Sequence, residues 1–248
     1  MIQGAIIVSG ASRGIGAAVA LELARRGFTV GCVSRSGAVP ASDTPISDDV
    51  RARLAARPCD VTDMPRFRAV IAEVAELAGG LGGLINNAGV HKDVRAQDMS
   101  IEDFEWVMRM NTTAVLAACQ AAYPLMLANK RGLIVNIGSF FERLGVGGSV
   151  AYCASKAAVA AVSRCLAAEW SRKGISVLNV APGYVETDIN RDFLRDEAAS
   201  AAVRTRSFIR RAGNASEVAR LIAALYVEDI PFLTGETIVV DGGYGIGI

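Results

Sequence analysis

The chain has 248 residues, 52% of them apolar and 21% charged, and its 26 basic and 25 acidic side chains leave a net charge of +1. A chain this long and apolar buries roughly three quarters of its unfolded surface, which excludes disorder and makes stapling by disulfides or metals unnecessary. Near-neutrality removes any electrostatic reason to bind nucleic acid or an anionic membrane. The scattered cysteines (Cys32, Cys59, Cys119, Cys153, Cys165) and the single histidine, His91, argue against a zinc site or a disulfide framework.

In chain order, short apolar runs alternate with longer helical patterns. Ala5–Ser9 reads as a strand, Gly14–Arg26 as a helix closed by Gly27, and Phe28–Ser34 as a second strand. Residues 36–50 form a Gly/Pro/Ser/Asp-rich loop. Asp63-Met-Pro65 opens a helix, and Leu84-Ile85 is a short buried strand ending in Asn86-Asn87-Ala88-Gly89. Ser100 with Asp103 is a capping-box variant that opens one long helix to about Ala128. Leu133–Ile137 is a strand, Val150–Arg172 a helix stopped by Gly174, and Ile175–Val180 another strand. Residues 186–213 are polar and Arg-rich, Ser216 caps a helix to about Val227, and Thr237–Val240 is the last strand. This alternation, without a linker, predicts one α/β domain over 1–248: a mostly parallel sheet with helices on both faces.

Met1–Gln3 carries no positive charge, Ala5–Val8 is too short for a signal peptide, and no run of 18 apolar residues exists. The expectation is a cytoplasmic protein without membrane contact. A mean hydropathy of +0.33 points to apolar surface covered in an oligomer.

The first strand runs into Gly10-Ala-Ser12-Arg13-Gly14-Ile15-Gly16 and a helix follows at once. Between strand and helix, such a turn offers backbone N–H groups and a helix N-terminus to a pyrophosphate. NAD-binding sheets place an acid at the end of the second strand for the ribose 2′-OH. Here that end reads Cys32-Val33-Ser34-Arg35-Ser36. Arg35, joined by Arg13, suits a 2′-phosphate instead, which predicts NADP(H).

Tyr152 and Lys156 stand four apart in a helical pattern, one turn apart on one face. A tyrosine near pKa 10 is a poor acid or base at neutral pH, and lowering it by about three units takes roughly 4 kcal/mol. A neighbouring ammonium and a nicotinamide cation both act in that direction. Ser139 follows the strand Leu133–Ile137 and so lies at the C-terminal edge of the sheet, where ligands bind in such folds.

With these motifs the chain resembles the short-chain dehydrogenase/reductase family over essentially its whole length. The matching segments are Gly10–Gly16, Cys59-Asp60-Val61, Asn86–Gly89, Asn111, Ser139, Tyr152 with Lys156, Pro182-Gly183 and Thr187. The resemblance implies a single-domain Rossmann fold with a doubly wound sheet of seven parallel strands. It makes Tyr152 the general acid, Lys156 the residue that holds the nicotinamide ribose and depresses the Tyr152 pKa, and Ser139 the group that polarises the carbonyl. Asn111 would hold a water that links Lys156 to solvent. Asp60 and Val61 would meet the adenine, and Asn87, Ala88 and Gly89 would belong to the cofactor loop. Pro182, Gly183, Val185 and Thr187 would border the nicotinamide, with Thr187 on its carboxamide.

The nearest resemblance is to the 3-oxoacyl-[acyl-carrier-protein] reductases, through Asn179–Gly183, Glu186-Thr-Asp188, Leu233–Thr237 and Asp241–Gly243. It implies NADPH-dependent reduction of a 3-oxoacyl thioester or related ketone, reversible to alcohol oxidation, by a homotetramer. Lys130, Arg131, Arg172 and Lys173 would border the site mouth and hold the acidic carrier protein, or else close helix C-termini. Phe140 and Phe141 would narrow the site or line it for a small cyclic or aromatic ketone or alcohol, or belong to the core. The segment with Arg191, Arg195, Arg204, Arg206, Arg210 and Arg211 falls at a substrate lid and would meet an anionic substrate or form a solvated face. His91 and Lys92 would shape substrate access or lie on the surface. A nucleotide-binding regulator without turnover is disfavoured, because neither Tyr152 nor Lys156 is substituted.

Overall fold

The computed structural model of the chain describes residues 2–187, 193 and 195–246. Seven strands form one parallel sheet: β1 (Ala5–Ser9), β2 (Val30–Ser34), β3 (Leu54–Pro58), β4 (Leu81–Asn86), β5 (Gly132–Ile137), β6 (Ile175–Pro182) and β7 (Thr237–Val240). Their order is β3-β2-β1-β4-β5-β6-β7. The chain leaves the β3 edge and returns to the middle at β4. Strand order therefore reverses between β1 and β4, which opens a crevice at the C-terminal ends of the strands.

Period-two alternation sends side chains of one strand to opposite faces. Ile6 and Val8 join the core under α1 (Gly14–Arg25) and a late helix, α8 (Ala215–Glu228). Ala5 and Ile7 join the core under α3 (Met64–Leu77), α5 (Ala114–Ala128) and α6 (Val150–Trp170). Both isoleucines are fully buried, and each such side chain contributes about 1.5–3 kcal/mol. By length and apolar composition alone the helix Val150–Lys173 is long enough to cross a membrane. It packs against β6 and carries Lys156 on a buried face, as a core helix does.

The structure differs from the sequence reading at five places. A short helix, α2 (Asp48–Arg51), interrupts the predicted loop, and β3 follows it. As the partly exposed edge of the sheet, containing Arg57 and Pro58, β3 lacks an apolar run to announce it. The predicted long helix is two: α4 (Ile101–Met108), capped by Ser100, and α5, joined by a π turn over Arg109–Thr113. Asn214, not Ser216, caps α8. Its side chain accepts from Glu217 N and the Glu217 carboxylate accepts from Asn214 N, while Ser216 Oγ donates to Asn214 Oδ1 at 2.6 Å. The Arg-rich segment contains α7 (Glu197–Arg206), capped by Asp196.

Candidate active site

A cleft of about 790 Å³ runs along the C-terminal edge of the sheet. It begins at the β1–α1 turn, where Gly10 and Gly14 adopt φ of +67° and +59°. A Cβ on Gly16 would lie 2.3 Å from Gly10 O and 2.4 Å from Asn87 Nδ2, so α1 approaches the strand ends as only glycine permits. Asn87 Nδ2 donates to Ser9 O at 3.0 Å and Gly10 O at 3.3 Å, and Ser9 Oγ accepts from Asn87 N and Ala88 N. These bonds stitch β4 to the turn. No side chain caps the first turn of α1 and no acid lies in it, so its N–H groups are available to an anion.

At the end of the cleft beside β2, Ser34, Arg35 and Ser36 join Asp60 and Val61 in its lining. Thr62 N and Oγ1 donate to Asp60 Oδ1 at 2.9 and 2.7 Å, and these bonds, with the Arg35 guanidinium nearby, hold that carboxyl below its ordinary value. At the other end, α6 presents Tyr152 and Lys156 beside Ser139, whose Oγ accepts from Phe141 N at 3.2 Å. Lys156 Nζ donates to Ile137 O at 2.7 Å and lies 5.7 Å from the centre of the Tyr152 ring. Burial pushes the Lys156 ammonium down to about 8, opposed by the charge of Glu142. Burial also raises the Tyr152 phenol, opposed by hydrogen bonding to Ser139. The expected depression of Tyr152 by Lys156 is therefore not a property of these side chains alone: desolvation sets the direction and Ser139 is the group that opposes it.

Of the predicted residues, Gly10, Ser12, Arg13, Gly14, Ile15, Ser34, Arg35, Asp60, Val61, Asn87, Ala88, Gly89, Ser139, Tyr152, Lys156, Pro182, Gly183, Val185 and Thr187 all line this cleft. Gly16 stands behind it as a packing residue. Asn111 also stands behind it, fully buried on the π turn: Oδ1 accepts from Val90 N at 2.8 Å, and Nδ2 donates to Val90 O and Ser155 Oγ. The π turn aims this amide at the chain leaving β4. Asp188 and Arg191 lie outside the described residues.

The structure decides between the alternatives of three readings, each time against a place in the cleft. Lys130 and Arg131 precede β5, and Arg172 and Lys173 precede β6, so they lie at the sheet edge opposite the chain's own cleft, about 17 Å away at ~3.3 Å per residue. Arg131 pairs with Asp229, and Lys173 Nζ donates to Tyr123 OH at 2.8 Å. Phe140 and Phe141 are buried and do not line the cleft; they pack with Tyr184, and Phe140 also meets Tyr244 at 5.2 Å. Arg204, Arg206 and Arg211 turn to Ser200, the Tyr244 ring and Glu217, and no described arginine of the 186–213 segment lines the cleft.

Sequence reasoning left His91 undecided. Its ring is 4.7 Å from that of Tyr152 and its Nε2 is 3.0 Å from Ser149 Oγ, whereas Lys92 pairs with Asp103 at 2.5 Å. Burial holds His91 below its ordinary value. Asp93, Trp106 and Met110 complete this end of the cleft and carried no motif.

The residues present fit a dinucleotide. The cleft joins an open helix N-terminus to Lys156, and at Gly89 a Cβ would stand 3.6 Å from Lys156 Nζ, so the bare backbone there leaves a cradle. The fold and site define a nucleotide-dependent oxidoreductase. The family model described as Enoyl-(Acyl carrier protein) reductase matches residues 10–245. The chain is 33% identical over 246 residues to the 3-oxoacyl-[acyl-carrier-protein] reductase MabA of Mycobacterium tuberculosis strain H37Rv, covering 99% of this chain and 94% of that one. It is 34% identical over 239 residues to the corresponding reductase FabG of Escherichia coli K12, covering 96% and 95%. A crystal structure of a gluconate 5-dehydrogenase from Burkholderia cenocepacia in complex with NADP and tartrate superposes with a TM-score of 0.89 at 28% identity, covering 100% and 97%. The chain belongs to the short-chain dehydrogenase/reductase family.

Proposed function

We propose that this chain is an NADPH-dependent reductase that transfers hydride to a ketone, with a 3-oxoacyl thioester as the leading substrate class, and that it runs in reverse as an alcohol dehydrogenase. The carrying observation is the joint placement of Ser139, Tyr152 and Lys156 at one end of a cleft whose other end carries Arg35 and no acid on β2. NADP(H), when bound, supplies or accepts the hydride. Arg13, Ser34 and Arg35 receive its 2′-phosphate, and the first turn of α1 its pyrophosphate.

Ser139 Oγ–H donates to the substrate carbonyl oxygen and fixes its orientation. Tyr152 gives its phenolic proton to that oxygen as a C–H bond forms at the carbonyl carbon. A phenol kept high by burial holds its proton until negative charge develops on the substrate oxygen. Lys156, held on Ile137 O, then stabilises the phenolate, which is reprotonated from solvent. Asn111 acts in that relay by fixing the backbone at Val90, next to Gly89, which faces Lys156.

MabA and FabG, named as carrier-protein reductases, support the thioester reading. The position of Lys130, Arg131, Arg172 and Lys173 away from the cleft leaves a carrier protein without its expected partners on this chain's mouth. A small ketone, in the manner of a dehydrogenase relative, is the second reading. We place the enzyme in the cytoplasm as a homotetramer. Exposed apolar side chains at Leu127 on α5, Val150 on α6 and Val239 on β7 support association through these elements.

The test follows NADPH oxidation with acetoacetyl-coenzyme A and with a panel of cyclic and aromatic ketones. Turnover should appear with at least one class, and Tyr152→Phe should lower kcat by about 10²–10⁴-fold with NADPH binding unchanged. A Tyr152→Phe enzyme as active as the parent would overturn the proposal.

A further inference from the structure

One buried carboxyl group lies behind the cleft and has no part in the chemistry above. Glu142 sits on the turn that follows Ser139, and its side chain is 3% exposed. Its Oε2 accepts from Asn179 Nδ2 at 2.8 Å, and its backbone N–H donates to Ser139 O at 2.9 Å. Asn179 is itself buried, and its Oδ1 has no hydrogen-bond partner among the described residues. A buried acid beside an orphaned amide oxygen is a costly arrangement for a fold to keep.

Both side chains bear on one stretch of backbone. A Cβ on Gly138 would come within 2.6 Å of Asn179 Oδ1 and 2.7 Å of Glu142 Oε2, so Gly138 lets the pair close against the main chain. On the preceding residue, Ile137 O receives the hydrogen bond of Lys156 Nζ at 2.7 Å. The segment Ile137–Ser139 thus receives the Lys156 ammonium at Ile137 O, packs the Glu142 carboxyl against Gly138 and accepts from Glu142 N at Ser139 O. The turn Phe140–Arg143 also packs against α6, which carries Lys156 and Tyr152.

We propose that Glu142 is a positioning residue of this centre: its side chain, fixed by Asn179 and closed against Gly138, holds the turn that presents Ser139 and stands one residue along the backbone from the carbonyl that receives Lys156. The proposal rests on the roles given above to Lys156 and Ser139. The charged and titratable groups around the pair are few. Glu142 Oε1 lies 3.8 Å from Nε of Arg143, whose side chain is 62% exposed and so screened by water. Lys156 faces the Tyr152 ring at 5.7 Å, and Glu142 is the charge that opposes the effect of burial on it. Without that charge, desolvation acts alone and Lys156 loses its proton at lower pH.

The experiment is a pH titration of the whole chain labelled with 13C at lysine Cε and followed by NMR. The chain has four lysines, Lys92, Lys130, Lys156 and Lys173, and Lys156→Arg assigns the signal of interest. Its midpoint in the parent is expected near 8. In Glu142→Gln it should fall by about half a pH unit or more, a threefold or greater loss of proton affinity. The alkaline limb of kcat/KM should move to lower pH by the same amount. If Glu142→Gln does not fold, Glu142→Asp, which keeps the charge on a shorter arm, carries the test with a smaller shift in the same direction. An unmoved Lys156 midpoint in the folded variant overturns the proposal, whatever the activity does. The NMR readout needs neither substrate nor cofactor, so a chain that reduces no ketone yet shows the shift overturns the proposed function and not the role of Glu142.

Discussion

Replacing Lys156 by methionine should abolish turnover and stabilise the fold. Lys156 is 5% exposed, and burial carries its ammonium from 10.5 down to about 8. At pH 7 the lysine is charged in both the folded and the unfolded chain, so the fold bears the cost of burying the charge. At about 1.4 kcal/mol per pH unit that cost is about 3 kcal/mol, a figure that already contains the attraction of Glu142. Methionine is nearly as long and carries no charge. It forfeits the hydrogen bond to Ile137 O, worth about 1–2 kcal/mol. The net expectation at pH 7 is a gain of about 1–2 kcal/mol, or about 2–8 °C in Tm for a chain of this size. The sign of the pH dependence follows from linkage. Between pH 8 and 10.5 the unfolded chain binds the Lys156 proton and the folded chain does not, so the parent gains stability as pH rises through that window. The advantage of methionine should therefore shrink above pH 8 and vanish by about pH 10. Urea unfolding of both proteins at pH 7, 8, 9 and 10 measures this. A methionine variant less stable than the parent by more than about 1 kcal/mol at pH 7, or a difference that stays constant to pH 10, would refute the reasoning.

Two further substitutions test the placement of the nucleotide turn and the correction to α8. Gly16→Ala puts a Cβ 2.3 Å from Gly10 O, so it should cost about 1–3 kcal/mol in urea unfolding and weaken NADPH binding measured by fluorescence titration. Unchanged values for both would show that the turn relaxes freely. Asn214→Ala should cost about 1 kcal/mol by the same unfolding assay, and Ser216→Ala within about 0.5 kcal/mol of nothing, because Asn214 alone caps Glu217 N. The opposite ranking would return the cap to Ser216.

The nucleotide turn and the Tyr152–Lys156 pair were legible because their information is local: glycines between a strand and a helix, and two side chains one helical turn apart. The sheet was legible where strands are buried on both faces, as β1, β5 and β6 are. It was not legible at β3, an edge whose partly exposed residues need no apolar run. The break between α4 and α5 was hidden because Arg109–Thr113 contains neither proline nor glycine, and its π turn answers to the bonds of Asn111 with Val90 and Ser155. The remote placement of Lys130, Arg131, Arg172 and Lys173 follows from chain direction, since residues before a parallel strand and residues after it lie at opposite edges of the sheet. Phe140 and Phe141 are a different case. That they brace Tyr184 instead of lining the cleft depends on segments far apart in the chain. Glu142 belongs to no motif and acquires meaning only beside Asn179 and Gly138.

The central claim is a cleft built for NADPH, and cofactor binding tests it most directly. Fluorescence titration of the purified chain with NADPH and NADH should show at least about tenfold tighter binding of NADPH, the equivalent of about 1.4 kcal/mol, and Arg35→Ala should erase that preference while leaving NADH binding unchanged. Equal affinities in the parent, or a preference for NADPH that survives Arg35→Ala, would contradict the assignment of Arg35 to the 2′-phosphate.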